Sequence, residues 1–343
     1  MTDTPQQLKA LPAPLLAWYD GNRRRLPWRE EVSAYRTWVS EIMLQQTRVT
    51  AVLPYFARFM AAFPTVEALA AAPEAQLMAL WQGLGYYSRA RNLQKAAQVI
   101  MTQYGGVFPD RYETLIALPG VGDYTAGAIA SIAFGQRVPA VDGNVLRIAA
   151  RLTGYEGNVL DGETRKIVRE WMAEVVPADR PGDFNQALMD LGAAVCLPGV
   201  PLCEGCPLAG LCTACREGRQ ASLPVRVKKA GKRREARTVF LLEREGRTAL
   251  RRRPESGLLA GLWEYPNDEG ALTEKEAARQ LAEWGLVPLE WRKRFQAKHV
   301  FTHIVWEMTV YRLAVSGDGP AGWAWCDPAE RGEYPMPTAF GKL

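Results

Sequence analysis

At 343 residues the chain is long for one domain, and at roughly 150 residues per domain two are expected. Hydrophobic residues make up 48% and charged residues 23%, which excludes a disordered or fibrous class, and no apolar run approaches the ~18 residues of a membrane span. Residues 1–222 balance 21 Lys/Arg against 21 Asp/Glu; residues 223–343 hold 21 against 16 and so carry the whole net charge of +5.

Met1 to Leu11 lacks the basic-then-apolar pattern of a secretory leader, so a cytoplasmic location is expected. Helices dominate residues 1–222. A helix starting near Tyr35 carries Ser40-Glu41-Ile42-Met43-Leu44-Gln45-Gln46-Thr47, one carboxylate on an otherwise apolar element. Leu93, Ala96, Ala97, Ile100, Met101 and Tyr104 form a one-sided stripe, as do Ile167, Val168, Trp171, Met172, Val175 and Val176. Gly105-Gly106, Gly135 and Gly154 read as helix stops, and Asp142 and Asp161 as starts.

Leu118-Pro119-Gly120-Val121-Gly122 lies between two apolar helical segments. Its glycines suit a tight turn that leaves backbone N–H groups free at a helix N-terminus, where a phosphate binds without sequence readout. A plain helix–helix turn is the alternative. Val141-Asp142-Gly143-Asn144-Val145 follows twenty residues later.

Four of six cysteines fall within 17 residues: Cys196, Cys203, Cys206 and Cys212, spaced C-x6-C-x2-C-x5-C. In a reducing compartment such a group points to a metal rather than to disulfides. Zinc sites favour two C-x2-C pairs. Counting Cys212–Cys215 as the second pair would leave a five-residue spacer and strand Cys196, which counts against zinc without excluding it. Arg216 and Arg219 are candidates to face phosphates, and Cys215 and Cys326 read as buried free thiols.

From Leu223 to Arg237 seven basic residues stand against Glu235 alone, a pattern that suits an exposed linker at 223–237, either along a phosphate backbone or simply solvated. Residues 238–343 read as an α+β module, with strands at 238–243, 248–253 and 300–313 and a helix at 273–284. Both histidines of the chain, His299 and His303, sit in that last strand region beside Phe301.

The cysteine spacing resembles the 4Fe–4S loop of the endonuclease III family, and the hairpin followed by Asp142 resembles the helix-hairpin-helix glycosylase superfamily. Bifunctional members carry a Schiff-base Lys two residues after the hairpin's last Gly; here Tyr124 stands there, and a phenol forms no imine. With Leu26-Pro27-Trp28-Arg29 and Gly83-Leu84-Gly85-Tyr86-Tyr87-Ser88-Arg89, the run around Glu41 resembles MutY-type adenine DNA glycosylases. The resemblance is dense over residues 15–215 and loose beyond.

That resemblance implies a mainly α helix-hairpin-helix domain (1–222) with a 4Fe–4S cluster on Cys196, Cys203, Cys206 and Cys212. A basic linker and an α+β Nudix-like domain (238–343) follow. It implies a monofunctional enzyme that flips adenine out of duplex DNA opposite 8-oxoguanine or guanine. Glu41 would be the proton donor, Asp142 the ionised partner facing the sugar, and Tyr124 and Asn144 their hydrogen-bonding helpers. Trp28, Arg29 and Gln186 would line the adenine pocket. Gln46 and Tyr86 would fill the gap in the stack, and Gly120, Val121 and Gly122 would hold the backbone. Phe301, Thr302 and His303 stand where relatives carry Phe-Ser-His to sense 8-oxoguanine. The Nudix box is degraded, with Gln280 in place of a metal-binding Glu, so no pyrophosphohydrolase activity is expected. A monomer is expected, without membrane attachment, in the cytoplasm of a bacterium and associated with its nucleoid. An endonuclease III-like lyase and a non-catalytic iron–sulfur DNA-binding or electron-transfer protein are the competing readings.

Overall fold

The computed structural model describes residues 3–227, 231–301, 303–341 and 343. The chain divides into two compact units, one built from 1–73 with 91–229 and the other from 74–90 with 230–343. No helix among the described residues is long and apolar enough to cross a membrane.

The first unit is helical. Ser33 caps the Ala34–Leu44 helix by accepting from the Arg36 N–H, and Tyr35, Trp38, Val39, Ile42 and Met43 form its buried stripe. Helices Asp123–Phe134, Gly143–Thr153, Gly162–Val175 and Pro181–Ala194 follow. Gly135 and Gly154 end two of them in the left-handed conformation, as their sequence positions predict. Val145, Ile148, Ala149 and Leu152 of the Gly143–Thr153 helix meet Phe184, Leu188 and Leu191 of the Pro181–Ala194 helix in one core, with Trp171 and Met172. Each large aliphatic side chain so buried contributes about 1.5–3 kcal/mol. Asn185, fully buried, accepts from the Ala140 N–H and donates to Ser131 Oγ and the Val138 carbonyl. That side chain pins the strand-like segment that leads into Asp142.

The hairpin 116–122 joins the short Tyr112–Leu115 helix to the Asp123–Phe134 helix. Gly120 has φ +74°, and a Cβ there would stand 2.6 Å from Asn92 Cβ, so both conformation and space require glycine. The first helical N–H groups after Gly122 receive no side-chain cap.

The second unit holds a seven-stranded mixed sheet: β1 (Arg233–Arg244), β2 (Arg247–Arg252), β3 (Trp263–Glu264), β4 (Asn267–Glu269), β5 (Val287–Val300), β6 (Ile304–Ser316) and β7 (Trp323–Cys326). The main path runs β3-β2-β1-β6-β5, with β4 on β1 and β7 on β2. β1 and β6 are parallel, and β5 and β6 antiparallel. The Glu274–Glu283 helix, started by a Thr273/Glu276 capping box, lays Ala277 and Leu281 on Phe240, Leu242, Tyr311 and Leu313. The opposite face packs Val239, Leu241, Trp306, Met308 and Val310 against Tyr265 and Phe340.

Two sequence expectations shift here. β1 begins at Arg233, inside the segment read as a linker, because Arg233–Glu243 pair in parallel with Ile304–Ala314. Arg237 is consequently held in the sheet, its guanidinium 4.6 Å from the Trp306 ring centre and bonded to Asn267. Lys228 and Lys229 of that segment lie outside the described residues. The single strand read at 300–313 is instead the second arm of a long hairpin, with Phe301 and His303 between its arms. β5 escaped notice because irregularities at Pro288/Glu290 and Trp291/Lys293 break the two-residue alternation in its first half, leaving only residues 295–300 to show it.

Candidate active site

One cavity of about 520 Å³ gathers side chains from six segments of the first unit, among them the stretch 47–50. Trp28 and Arg29 come from the Pro27–Glu30 turn, Glu41 from the Ala34–Leu44 helix, and Tyr124 from the start of the Asp123–Phe134 helix. Asp142 and Asn144 come from the start of the Gly143–Thr153 helix, and Gln186 from the Pro181–Ala194 helix. Every residue that the sequence placed in the reacting centre or the base pocket therefore lines a common space. Leu26, Arg24, Thr37 and Met189 complete walls that the sequence did not single out.

Glu41 is only 6% exposed. Burial pushes its carboxyl up to about 7, against a hydrogen bond from Tyr124 and the charge of Arg29, while the Asp142 charge adds to the rise. Tyr124 Oη donates to Glu41 Oε2 at 2.6 Å. An acid poised near neutrality suits proton donation at physiological pH.

Asp142 is differently held. It caps its helix: Oδ1 accepts from the Asn144 and Val145 N–H groups at 2.8 Å each, and Oδ2 from Asn144 Nδ2 at 2.8 Å. Burial raises its carboxyl above the ordinary value, opposed by those donors and by the Arg147 charge. The positive end of the helix also favours the ionised form. The two carboxyls thus differ in kind, one buried against a phenol donor and one ringed by N–H donors at a helix start.

Behind Asp142 stands Arg147, 3% exposed. Its guanidinium donates to Asn144 Oδ1, the Gly192 carbonyl and the Cys196 carbonyl, each at 2.8 Å. One side chain therefore ties the cysteine loop to the amide that holds Asp142. Behind Arg29 stands Asp190, 1% exposed, taking both arms of that guanidinium at 2.7 and 3.0 Å and Arg24 Nε at 2.7 Å. Burial alone would raise the Asp190 carboxyl, but the two guanidiniums outweigh it and hold it below the ordinary carboxylate range. Neither Arg147 nor Asp190 was legible in the sequence, since nothing local marks a buried long-range tie.

Gln46 and Tyr86, the residues expected to enter the stack, lie outside the cavity lining. Both are exposed, and both are non-glycine residues with positive φ, +60° and +49°. Such a conformation costs on the order of 1–3 kcal/mol and collects at functional sites. Gly120, Val121 and Gly122 form the hairpin described above.

In the second unit Phe301 packs edge-on against His299 and Trp306, with centroids 4.6 and 4.8 Å away, and His303 is exposed. Thr302 lies outside the described residues. Gln280, in the degraded Nudix box, donates to Glu283 at 3.1 Å.

Cys196, Cys203, Cys206 and Cys212 line one small cavity with Arg151, and Cys215 joins them. Arg151 Nη1 lies 3.4 Å from Cys196 Sγ, and its other donors hold the Leu197, Gly199, Gln220 and Leu223 carbonyls, so the loop is organised around one buried guanidinium. Burial raises the Cys206 thiol to about 11, and raises Cys212 against backbone N–H groups of Cys215 and Ala214. Among the described residues no three His, Cys, Asp or Glu close on a single ion position. A wall made of thiols, without carboxylate or imidazole, is the donor chemistry of a thiolate-bound metal centre, iron–sulfur or zinc. Arg219, a candidate to face phosphates, is paired with Glu156 and Glu217 at the surface. Cys326 is buried at the end of β7.

Residues 39–174 match the HhH-GPD superfamily of base excision DNA repair proteins, and residues 238–343 match the NUDIX domain. The chain is similar to the adenine DNA glycosylase of Rattus norvegicus, at 38% identity over 90% of this chain and 71% of the relative. It is similar to that of Homo sapiens at 35% over 98% and 74%, and to that of Buchnera aphidicola at 37% over 75% of each. Among solved structures, a thermostable thymine-DNA glycosylase superposes with TM-score 0.55 at 28% identity, covering 62% of this chain and 98% of its own. A trapped endonuclease III–DNA covalent intermediate superposes with TM-score 0.54 over 64% of this chain and 99% of its own, at 24% identity, a likeness of fold.

Proposed function

The chain belongs to the adenine DNA glycosylase family, a group of base excision repair enzymes, and from that premise we propose that it releases adenine mispaired with 8-oxoguanine, or with guanine, from duplex DNA. The observation that carries this reading is the shared cavity in which Glu41 and Asp142 meet, one proton-bearing near neutrality and one ringed by N–H donors.

Breaking a purine N-glycosidic bond needs help at both ends, as glycoside hydrolysis does. The Glu41 proton passes to N7 of the flipped base, the C1′–N9 electron pair leaves with adenine, and the Asp142 carboxylate stabilises the positive charge on the sugar. Water then completes C1′, giving up a proton. Tyr124 steadies the Glu41 carboxyl, and Asn144, braced by Arg147, holds Asp142 in register. Trp28, Arg29 and Gln186, which line the same cavity, are proposed to receive the base. No amine stands at the Tyr124 position, which favours base release without strand cleavage.

Gln46 and Tyr86 are proposed to meet the disrupted stack, and the Gly120–Gly122 turn a phosphate. Phe301, Thr302 and His303 are proposed to sense the 8-oxoguanine. A 4Fe–4S cluster on Cys196, Cys203, Cys206 and Cys212 would brace the loop on which Arg147 rests.

The test is a duplex bearing adenine opposite 8-oxoguanine. Free adenine, with strand breakage appearing only after alkali, is expected. Breakage without alkali on a thymine glycol duplex would instead favour the endonuclease III-like reading, and inert DNA would remove both. Glu41→Gln and Asp142→Asn should each abolish adenine release and leave duplex binding largely intact; substantial activity in either overturns the assignment.

A further inference from the structure

Five thiols line the cavity of the cysteine loop, whereas a four-cornered iron–sulfur centre takes four thiolates. The fifth, Cys215, lies outside the C-x6-C-x2-C-x5-C pattern. It sits on the Thr213–Arg216 turn, three residues after Cys212, and its side chain is within hydrogen-bonding reach of Cys203. Cys203 itself begins a separate turn, Cys203–Gly205. The two sulfurs therefore reach the same wall from different pieces of backbone, and removing one does not unseat the other.

We propose that Cys215 is a reserve ligand for the corner held by Cys203, so that this protein keeps its cluster when the Cys203 sulfur is lost. The proposal rests on the reading that the loop holds an iron–sulfur cluster. The exchange is a substitution of one thiolate for another: the Cys215 thiol gives up its proton to solvent and binds the iron that Cys203 has left, with no change of oxidation state. Gln220 Nε2, 3.9 Å from Cys203 Sγ, remains at the same wall.

The experiment compares the full-length protein with Cys203→Ala, Cys215→Ala and the double variant, purified without oxygen. Iron per chain and the visible iron–sulfur absorption are the readouts. Cys215→Ala is expected to match the parent, Cys203→Ala to keep more than half of its iron, and the double variant less than a tenth. Alkylation by iodoacetamide followed by mass spectrometry supplies a second measurement. Cys215 should be modified in the parent and protected in Cys203→Ala. A Cys203→Ala chain as poor in iron as the double variant, or insoluble, overturns the proposal, as does a double variant that keeps its iron. A parent without iron overturns the cluster reading itself, which separates the two failures.

Discussion

Replacing Tyr124 by Phe removes a side-chain donor that the Glu41 carboxyl accepts from at 2.6 Å. That bond favours the ionised form, so its loss should raise the Glu41 pKa further above its present value of about 7. A hydrogen bond to a charged group contributes ~1.5–3 kcal/mol. At 1.36 kcal/mol per pKa unit, and with part of the bond retained by the protonated acid, the net rise is about one unit. Adenine release under single-turnover conditions, measured from pH 5.5 to 9, should stay level in acid and fall tenfold per pH unit on the alkaline side. The bend should move from about pH 7 to about pH 8 in the variant. At pH 8.5 the protonated fraction would then be roughly eight times that of the parent. The position of the bend is read independently of the plateau height, which the substitution also lowers if Tyr124 orients the acid. An unmoved bend, or one displaced toward acid, would refute both the assignment of Glu41 as proton donor and the role given to the phenol.

The same titration bears on stability. Glu41 holds its proton up to about pH 7 when folded but only to about 4.5 when unfolded, so its contribution falls as pH rises between those values. Glu41→Gln abolishes that dependence, and its stability relative to the parent should improve by about 3 kcal/mol between pH 4.5 and 8 in chemical unfolding. A difference independent of pH would contradict the burial argument. Asp190→Asn leaves Arg29 and Arg24 without their shared carboxylate and should cost about 2–4 kcal/mol, less than a fully buried pair because Arg24 is partly solvated, seen as a lower melting midpoint. Arg147→Met orphans one buried and two partly buried oxygens and loosens Asn144, so a lower melting midpoint and at least tenfold slower adenine release should appear together. At Gly192 a Cβ would fall 2.5 Å from Asn144 Cβ, and Gly192→Ala should slow base release more than it lowers the melting midpoint.

Much of this protein was written locally. Apolar spacing marked the helices, glycines marked their ends, and short runs around Glu41, Gly120–Gly122, Asp142 and the cysteines pointed to a site before any fold was known. Those features depend on neighbours a few positions away, which a linear chain displays. β5 was missed for the converse reason: its partner strand, not its own pattern, makes it a strand. Tertiary structure alone decided that Glu41 is sealed from water, that Tyr124, 83 positions distant, supplies its hydrogen bond, and that Asp190 anchors Arg29 across 161 positions. It also decided that Arg147 joins the cysteine loop to Asn144 and that Cys215 shares the wall with four other thiols. Desolvation and charge act through space, so the protonation state on which the chemistry turns is a property of the packed chain rather than of any segment of it.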